Sequence, residues 1–260
     1  MTLNKFIWQL WHVADKYFFI AVPVFFIFYV LLRKRISYKK IQLKFPQVKD
    51  YKREIIFSTL SIIIFSFPPV LLLSIDSIRK HTTFYTNTHD YGRLYLILAF
   101  PLMLLMHDTY FYWIHRMMHS PLLFKRFHLV HHKSINPSPL AAYAFHPLEA
   151  ILESLIFVIF LFTIPIHPIL LTTFFIFSLL YNVYGHLGFE LYPANFNRHW
   201  LGKWVNTSIS HNQHHQYFKG NYGLYFTLWD RLMGTMRPDY DSAFTAIKKR
   251  ENILTSNKAN

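Results

Sequence analysis

The chain has 260 residues, of which 53% are hydrophobic, 19% aromatic and only 15% charged, and its formal net charge is +14. Soluble domains carry roughly 25% charged residues, so this composition excludes an ordinary soluble enzyme and a disordered chain. The sequence contains no cysteine, which excludes a disulfide scaffold, a cysteine nucleophile and metal sites built on thiolates.

Long apolar runs predict membrane helices, each of which needs about 20 mostly apolar residues. Pro165 and Pro168 divide the last run into a tight hairpin. The sequence therefore predicts an all-α integral membrane protein with about four to five transmembrane helices, and the loops fit five crossings best. In chain order the runs are residues 17–32, extendable back to residue 6, residues 55–75, residues 94–106 with a helical pattern continuing to 119, and residues 151–187.

Basic residues orient these helices. Nine Lys and Arg residues lie between residues 33 and 54, and an excess of this kind marks a cytoplasmic loop. Five crossings then place the N-terminus outside and residues 115–146 and 186–215 on the cytoplasmic face, in a helical cap. Much of the +14 charge is therefore explained by topology and lipid contact, and a nucleic-acid partner is not expected.

Composition along the chain suggests three regions. Residues 1–93 hold the first membrane helices and the basic loop, residues 94–237 form the predicted catalytic domain, and residues 238–260 form a polar tail, predicted as a surface helix with a frayed end. A signal peptide is not expected, because the first apolar run is too long and no small-residue cleavage site follows it.

Histidine, with 16 residues, is the other excess. The pattern H-x-x-H-H occurs twice, although less than one copy is expected by chance at this histidine frequency. On a helix, residues three and four apart share a face, so each cluster can present its imidazoles together. The three clusters are His115 and His119; His128, His131 and His132; and His211, His214 and His215.

Eight crowded imidazoles predict a metal site. Without a metal ion many of their ring nitrogens would lack partners, or would repel one another when protonated. Eight ligands are too many for one ion, whereas two ions with four or five ligands each would use them all. Imidazole suits iron, zinc and copper, and iron would bring oxygen chemistry to the C–H bonds of a neighbouring lipid.

The clusters and their surroundings resemble the fatty acid hydroxylase superfamily, which includes sterol desaturases, sterol methyl oxidases and fatty-acid 2-hydroxylases. The resemblance covers roughly residues 95–237 and includes the run from Asp108 to His119, both H-x-x-H-H motifs, Asn221-Tyr-Gly and Trp229-Asp-Arg-Leu-Met-Gly234-Thr. It implies a membrane-bound, non-haem di-iron enzyme that hydroxylates or desaturates a lipid with O2 and two external electrons.

By resemblance, the eight clustered histidines would be metal ligands and catalytic residues, and His186 would be a ninth ligand. Some members have a histidine four residues earlier, where this chain has Asn182, so that water or Asn182 itself would complete one iron site. His146 matches a recurring family pattern and is interpreted as a supporting or structural residue. The carboxylates expected to orient ligating imidazoles are Asp108, Glu149, Glu190 and Asp230.

Electrons must come from a separate carrier, because the chain has neither a G-x-G-x-x-G motif nor an H-P-G-G haem motif. A ferredoxin or cytochrome b type protein with its reductase could dock on the basic cytoplasmic surface. Aromatic residues between 107 and 113 could line the tunnel for the lipid. The alternative is a histidine-rich membrane metal-binding or transport protein, which would place its ligands inside the membrane together with carboxylates.

Overall fold

The structure is a computed structural model that describes residues 3–259, without the side chains of residue 252 and residues 254–259. The described residues form helices and no strand, and the only extended pairings among them are isolated β-bridges. The helices are α1 (Leu3–Phe25), which continues as a π-helix (Phe26–Leu31), α2 (Val48–Ser74), α3 (Asp76–Arg79), α4 (Gly92–Met118), α5 (Phe124–Phe127), α6 (Leu129–His132), α7 (Pro147–Thr163), α8 (Pro168–Gly185), α9 (Ser208–Tyr217), α10 (Leu228–Leu232) and α11 (Tyr240–Ala259).

Four helices are long and apolar enough to cross a membrane: α1 with its continuation, α2, α4 and α8. They expose large apolar side chains such as Phe19, at 72%, and Ile97, at 68%, as expected where lipid surrounds the protein. The predicted all-α membrane fold is thus confirmed. The expected fifth crossing corresponds to α7, which has 17 residues and is shorter than the other four.

The hairpin predicted at Pro165 and Pro168 joins α7 to α8. Proline occupies the first turn of both helices, where no backbone N–H is needed. A histidine precedes each proline and caps its helix: the Leu148 N–H donates to His146 Nδ1 at 3.3 Å, and the Ile169 N–H donates to His167 Nδ1 at 3.2 Å. Both helices of the hairpin therefore begin at a histidine cap.

The basic segment from residue 33 to residue 54, which includes the start of α2, packs directly against the histidine-bearing segments. Gln42 donates from Nε2 to Asn212 Oδ1 at 2.9 Å, and Arg53 donates from Nη2 to the Lys133 carbonyl at 3.0 Å. Lys40 and Phe189 form an isolated β-bridge. The side of the bundle with the most basic residues is therefore also the side that carries the histidine clusters.

Lys40 is buried, with 1% of its surface exposed. Its ammonium donates to Asn136 Oδ1 at 3.2 Å and to the Gly188 carbonyl at 3.4 Å. Gly188 has φ +70°, and a Cβ there would lie 2.8 Å from Lys40 Nζ and from the Tyr29 hydroxyl, so this turn requires glycine. Burial lowers the pKa of Lys40 to about 7.

This pKa predicts a pH-dependent stability. Between pH 7 and the ordinary lysine pKa, Lys40 is protonated in the unfolded chain and neutral in the folded protein. The free energy of unfolding should therefore rise with pH by up to about 1.4 kcal/mol per pH unit. Lys40→Met should remove this contribution and stabilise the protein most below pH 7, where the buried ammonium is charged. Thermal unfolding in detergent at pH 6 and pH 9 tests this, with Lys34→Met as control; an equal effect at both pH values would contradict it.

The polar tail does more than cover the surface. Tyr240, Phe244 and Ile247 of α11 are buried and pack with Ile209 of α9. They recur at positions i, i+4 and i+7, which places them on one face of the helix. The end of the chain therefore stabilises the helix that carries the third histidine cluster.

Candidate metal centre

Helix ends and short helices bring the three histidine clusters together. His115 lies in the last turn of α4 and His119 directly follows that helix. His131 and His132 end α6, and the third cluster lies on α9. Of the nine predicted ligands, eight are buried and His119 is half-buried.

The nine imidazoles form two groups, each of which could hold a metal ion. In the larger group, Nε2 of His115 lies 2.9 Å from Nε2 of His128, while Nε2 of His132 lies 3.1 Å from that of His119 and 3.0 Å from that of His214. The five members are His115, His119, His128, His132 and His214.

The smaller group surrounds His186. Its Nε2 lies 3.3 Å from Nε2 of His131, 3.1 Å from that of His211 and 3.2 Å from that of His215. Nε2 of His211 and His215 are themselves 3.2 Å apart. The smaller group thus has four members, one of them from the end of α8.

The two groups are neighbours, because each H-x-x-H-H motif contributes to both. His131 belongs to the smaller group and His132 to the larger, and the rings of His132 and His215, one from each group, are 4.9 Å apart. In the third cluster, His214 belongs to the larger group, whereas His211 and His215 belong to the smaller. One helical face therefore serves two adjacent sites.

The opposite ring nitrogens of the histidines hold them in place. Nδ1–H of His115 donates to the Tyr222 carbonyl at 2.9 Å, that of His186 to the Asn182 carbonyl at 2.8 Å, and that of His214 to the Gly220 carbonyl at 2.8 Å. Donation through Nδ1 leaves a lone pair on Nε2. The lone pairs therefore point into the two groups, as metal ligation requires.

Burial keeps these imidazoles neutral. Burial and the neighbouring His115 lower the pKa of His119 to about 2, and burial lowers the pKa of His186 to about 4. Burial and nearby histidines also hold the pKa well below its ordinary value for His128, His131, His132, His211, His214 and His215.

Converging neutral imidazoles fit a cation. Lone pairs that face one another repel, and a shared metal ion removes that repulsion. Ligand nitrogens about 2.0–2.1 Å from one ion lie roughly 2.9–3.4 Å apart at angles between 90° and tetrahedral. The Nε2 separations of 2.9–3.3 Å quoted above match this range. The residues present therefore fit two metal ions.

Among the four predicted orienting carboxylates, Glu149 alone bonds an imidazole within the described chain. Its Oε1 accepts from His128 Nδ1 at 2.6 Å, and both side chains are buried. The other three carboxylates accept hydrogen bonds from backbone N–H groups, so the expectation that they bond an imidazole directly is wrong. Asp108 accepts from Tyr225 N, Glu190 from Ile209 N, and Asp230 from Gly223 N.

Asp230 acts on the metal centre indirectly. Its carboxylate accepts from Tyr222 N at 2.9 Å, from Gly223 N at 2.8 Å and from Thr235 Oγ1 at 2.7 Å, and the Tyr222 carbonyl in turn orients His115. Asp230→Ala should lower the free energy of unfolding by about 3 kcal/mol, since it leaves buried donors without partners. Thermal unfolding measures this; a loss no larger than that of the exposed Asp90→Asn would contradict it.

Two other residues were candidates for the metal site. The Asn182 amide donates to the Ala142 carbonyl at 2.6 Å, and its part in completing the smaller group stays a prediction. His146 caps α7 and is absent from both groups, which agrees with its interpretation as a structural residue. The carbonyl acceptors for Nδ1 were not predicted, and no side-chain signal could have identified them.

An apolar cavity of about 400 Å³ lies between the membrane helices. It extends along α8 from Pro168 to Asn182, a distance of about 21 Å at the helical rise. Two of its lining residues contact the metal centre: the ring of Phe111 lies 4.9 Å from that of His115, and the ring of Phe145 lies 5.0 Å from that of His131. Of the aromatic residues between 107 and 113 that were expected to line a tunnel, Phe111 lines this cavity, whereas Tyr110, Tyr112 and Trp113 are not part of its lining.

These features define a class: a helical membrane protein with two adjacent all-histidine groups at the end of an apolar cavity. The chain belongs to the fatty acid hydroxylase family, whose sequence profile matches residues 100–235. No solved structure gives a significant match to the chain.

Curated relatives agree with this assignment. The chain is 34% identical to a Delta(7)-sterol 5(6)-desaturase of Gibberella zeae over 191 residues, which cover 71% of the chain and 58% of the relative. It is 33% identical to the lathosterol oxidase of Mus musculus over 199 residues, covering 75% and 64%. The lathosterol oxidase of Homo sapiens is 32% identical over 228 residues, covering 85% and 70%. The chain thus spans about three fifths of the first two relatives.

Proposed function

We propose that the protein is a membrane-bound di-iron enzyme that hydroxylates or desaturates a C–H bond of a lipid, with O2 as co-substrate. The observation that carries this proposal is the position of the two histidine groups at the end of a cavity as long as a lipid. Membership of the fatty acid hydroxylase family and the sterol-oxidising names of the relatives support it.

Two bound iron ions would supply the oxygen chemistry that an unactivated C–H bond requires. Hydroxylation would consume one O2, two electrons and two protons, and would release one water; desaturation would release two. The nine histidines would hold the metal, while Phe111 and Phe145 would place the lipid beside it and exclude bulk water.

The cytoplasmic face is the proposed location of the metal centre. Nine Lys and Arg residues lie between residues 33 and 54, and this segment bonds to Asn212 and to the Lys133 carbonyl beside the histidine clusters. Basic loops face the cytoplasm in membrane proteins. A ferredoxin or cytochrome b type carrier with its reductase would therefore reach the centre from that side.

The experiment combines metal analysis of the purified protein with a lipid-oxidation assay. We expect two iron ions per chain and product formation that needs both O2 and a reductant. Chelation should abolish both, and added ferrous iron should restore them. Tightly bound zinc with no oxidation after iron reconstitution would contradict the proposal and favour a metal-binding or transport role.

Charge reversal tests the proposed carrier. Arg198 and Lys219 are exposed on the segment from 198 to 237, and Arg198→Glu with Lys219→Glu should raise the KM for an acidic carrier while leaving iron content unchanged. Asp90→Lys is the matched control on a distant loop. An unchanged KM would count against docking on this surface.

A further inference from the structure

The lining of the cavity is mostly apolar but includes several polar side chains. Glu153 of α7, His107 of α4 and Ser178 of α8 all line it. Ser178 lies one helical turn from Asn182, whose carbonyl orients His186. A lipid that fills the cavity would therefore meet polar groups beside the site of oxidation.

Glu153 is the most unusual of these residues. It lies one turn, about 6 Å, along α7 from Glu149, the residue that bonds His128. Within residues 3–259 its carboxyl group has no hydrogen-bond partner and no ion pair. Lys16 lines the same cavity but lies 3.6 Å from the carboxylate of Asp15. A carboxyl group without a partner among membrane helices is costly, which indicates a functional role.

His107 supplies a complementary group. It is buried, and its Nδ1 lies 2.9 Å from the Tyr225 hydroxyl. When that hydroxyl donates to Nδ1, the proton of the imidazole lies on Nε2 and is free to donate into the cavity. Tyr110 donates to the Leu152 carbonyl at 2.7 Å, which brings α4 and α7 together next to Glu153.

We propose that Glu153 and His107 bind a hydroxyl group of the lipid, so that the substrate is a lipid alcohol held with its hydroxyl near the carbon to be oxidised. The inference rests on the proposed function for the role of the metal centre. Glu153 would accept the hydroxyl proton, and His107 Nε2–H would donate to the hydroxyl oxygen. A lipid ester or ether has no O–H to donate, so it cannot make both of these hydrogen bonds.

Binding without turnover tests this proposal. The purified protein in lipid nanodiscs is kept anaerobic and without reductant, and the affinities of lathosterol and its 3-O-methyl ether are measured, followed by octadecanol and its methyl ether. We expect one of the two alcohols to bind about tenfold more tightly than its ether, because a hydrogen bond made inside an apolar cavity is lost. The two pairs distinguish a sterol from a fatty alcohol.

Variants assign the preference to Glu153. Glu153→Leu should retain the affinity for the ether and reduce the ratio of alcohol affinity to ether affinity to about one. Glu153→Gln keeps a hydrogen-bond acceptor and should retain part of this ratio. Thr163→Val, on the exposed end of α7 outside the cavity, should keep all of it. Equal wild-type affinities for both pairs, no binding of either alcohol, or a full ratio in Glu153→Leu would overturn the proposal. A protein that binds the alcohol but never oxidises a lipid would contradict the proposed function alone.

Discussion

Replacing His215 with alanine is expected to lower metal affinity by at least about a hundredfold and to abolish lipid oxidation. The loss of a supporting residue alone costs about 10–100-fold, and His215 is one of only four histidines in the smaller group. Its Nε2 lies 3.2 Å from those of both His186 and His211. The remaining three imidazoles could not compensate.

The larger group, which has five histidines, should tolerate the loss of one histidine better than the smaller group. His119 is half-buried and its loss leaves four imidazoles, so His119→Ala should cost about tenfold in metal affinity, less than the loss of a ligand from the smaller group. Iron content under competition with a chelator measures both effects. The exposed His199→Ala controls for the general effect of removing a histidine. Full metal content and activity in His215→Ala would contradict the two-group assignment.

Glu149→Leu is expected to weaken metal binding by about 10–100-fold through His128. The carboxylate accepts from His128 Nδ1 at 2.6 Å, and its second oxygen has no partner among the described residues. Without it the imidazole N–H is buried and unpaired, which costs about 1–3 kcal/mol. Glu149→Gln keeps an acceptor and should cost less.

The same chelator competition measures this series, with thermal unfolding recorded in parallel. Asp239→Asn is the control, since Asp239 pairs with Arg237 at 2.9 Å and contacts no clustered histidine. If Glu149→Leu and Asp239→Asn retained metal equally well, Glu149 would have no role in orienting His128.

Much of the fold was predictable because bilayer thickness fixes the length of apolar helices. The long runs, the continuation of α4 to the first cluster and the hairpin at Pro165 all occur as predicted. The tail was only partly predictable: a helix was expected, but the docking of Phe244 on Ile209 depends on α9 lying beneath it.

At the metal centre, residue type and local spacing identified the nine histidines but not their grouping. A shared helical face suggests that His131 and His132 serve one ion, yet the structure assigns them to different groups. Sequence spacing describes positions along one helix, whereas each histidine group contains residues from several helices. The relative positions of those helices depend on how they pack. The carbonyls of Tyr222 and Gly220 that orient the rings are equally invisible in sequence.

The sequence by itself determined a helical membrane protein of the fatty acid hydroxylase family and the histidines whose imidazoles crowd together in it, because apolar length and histidine spacing are local properties. Only the tertiary structure decided which imidazoles share an ion, which carboxylate supports them, and that Glu153 and His107 face one cavity. These are contacts between distant segments, and they exist only when the packed helices fix distances that no single segment contains.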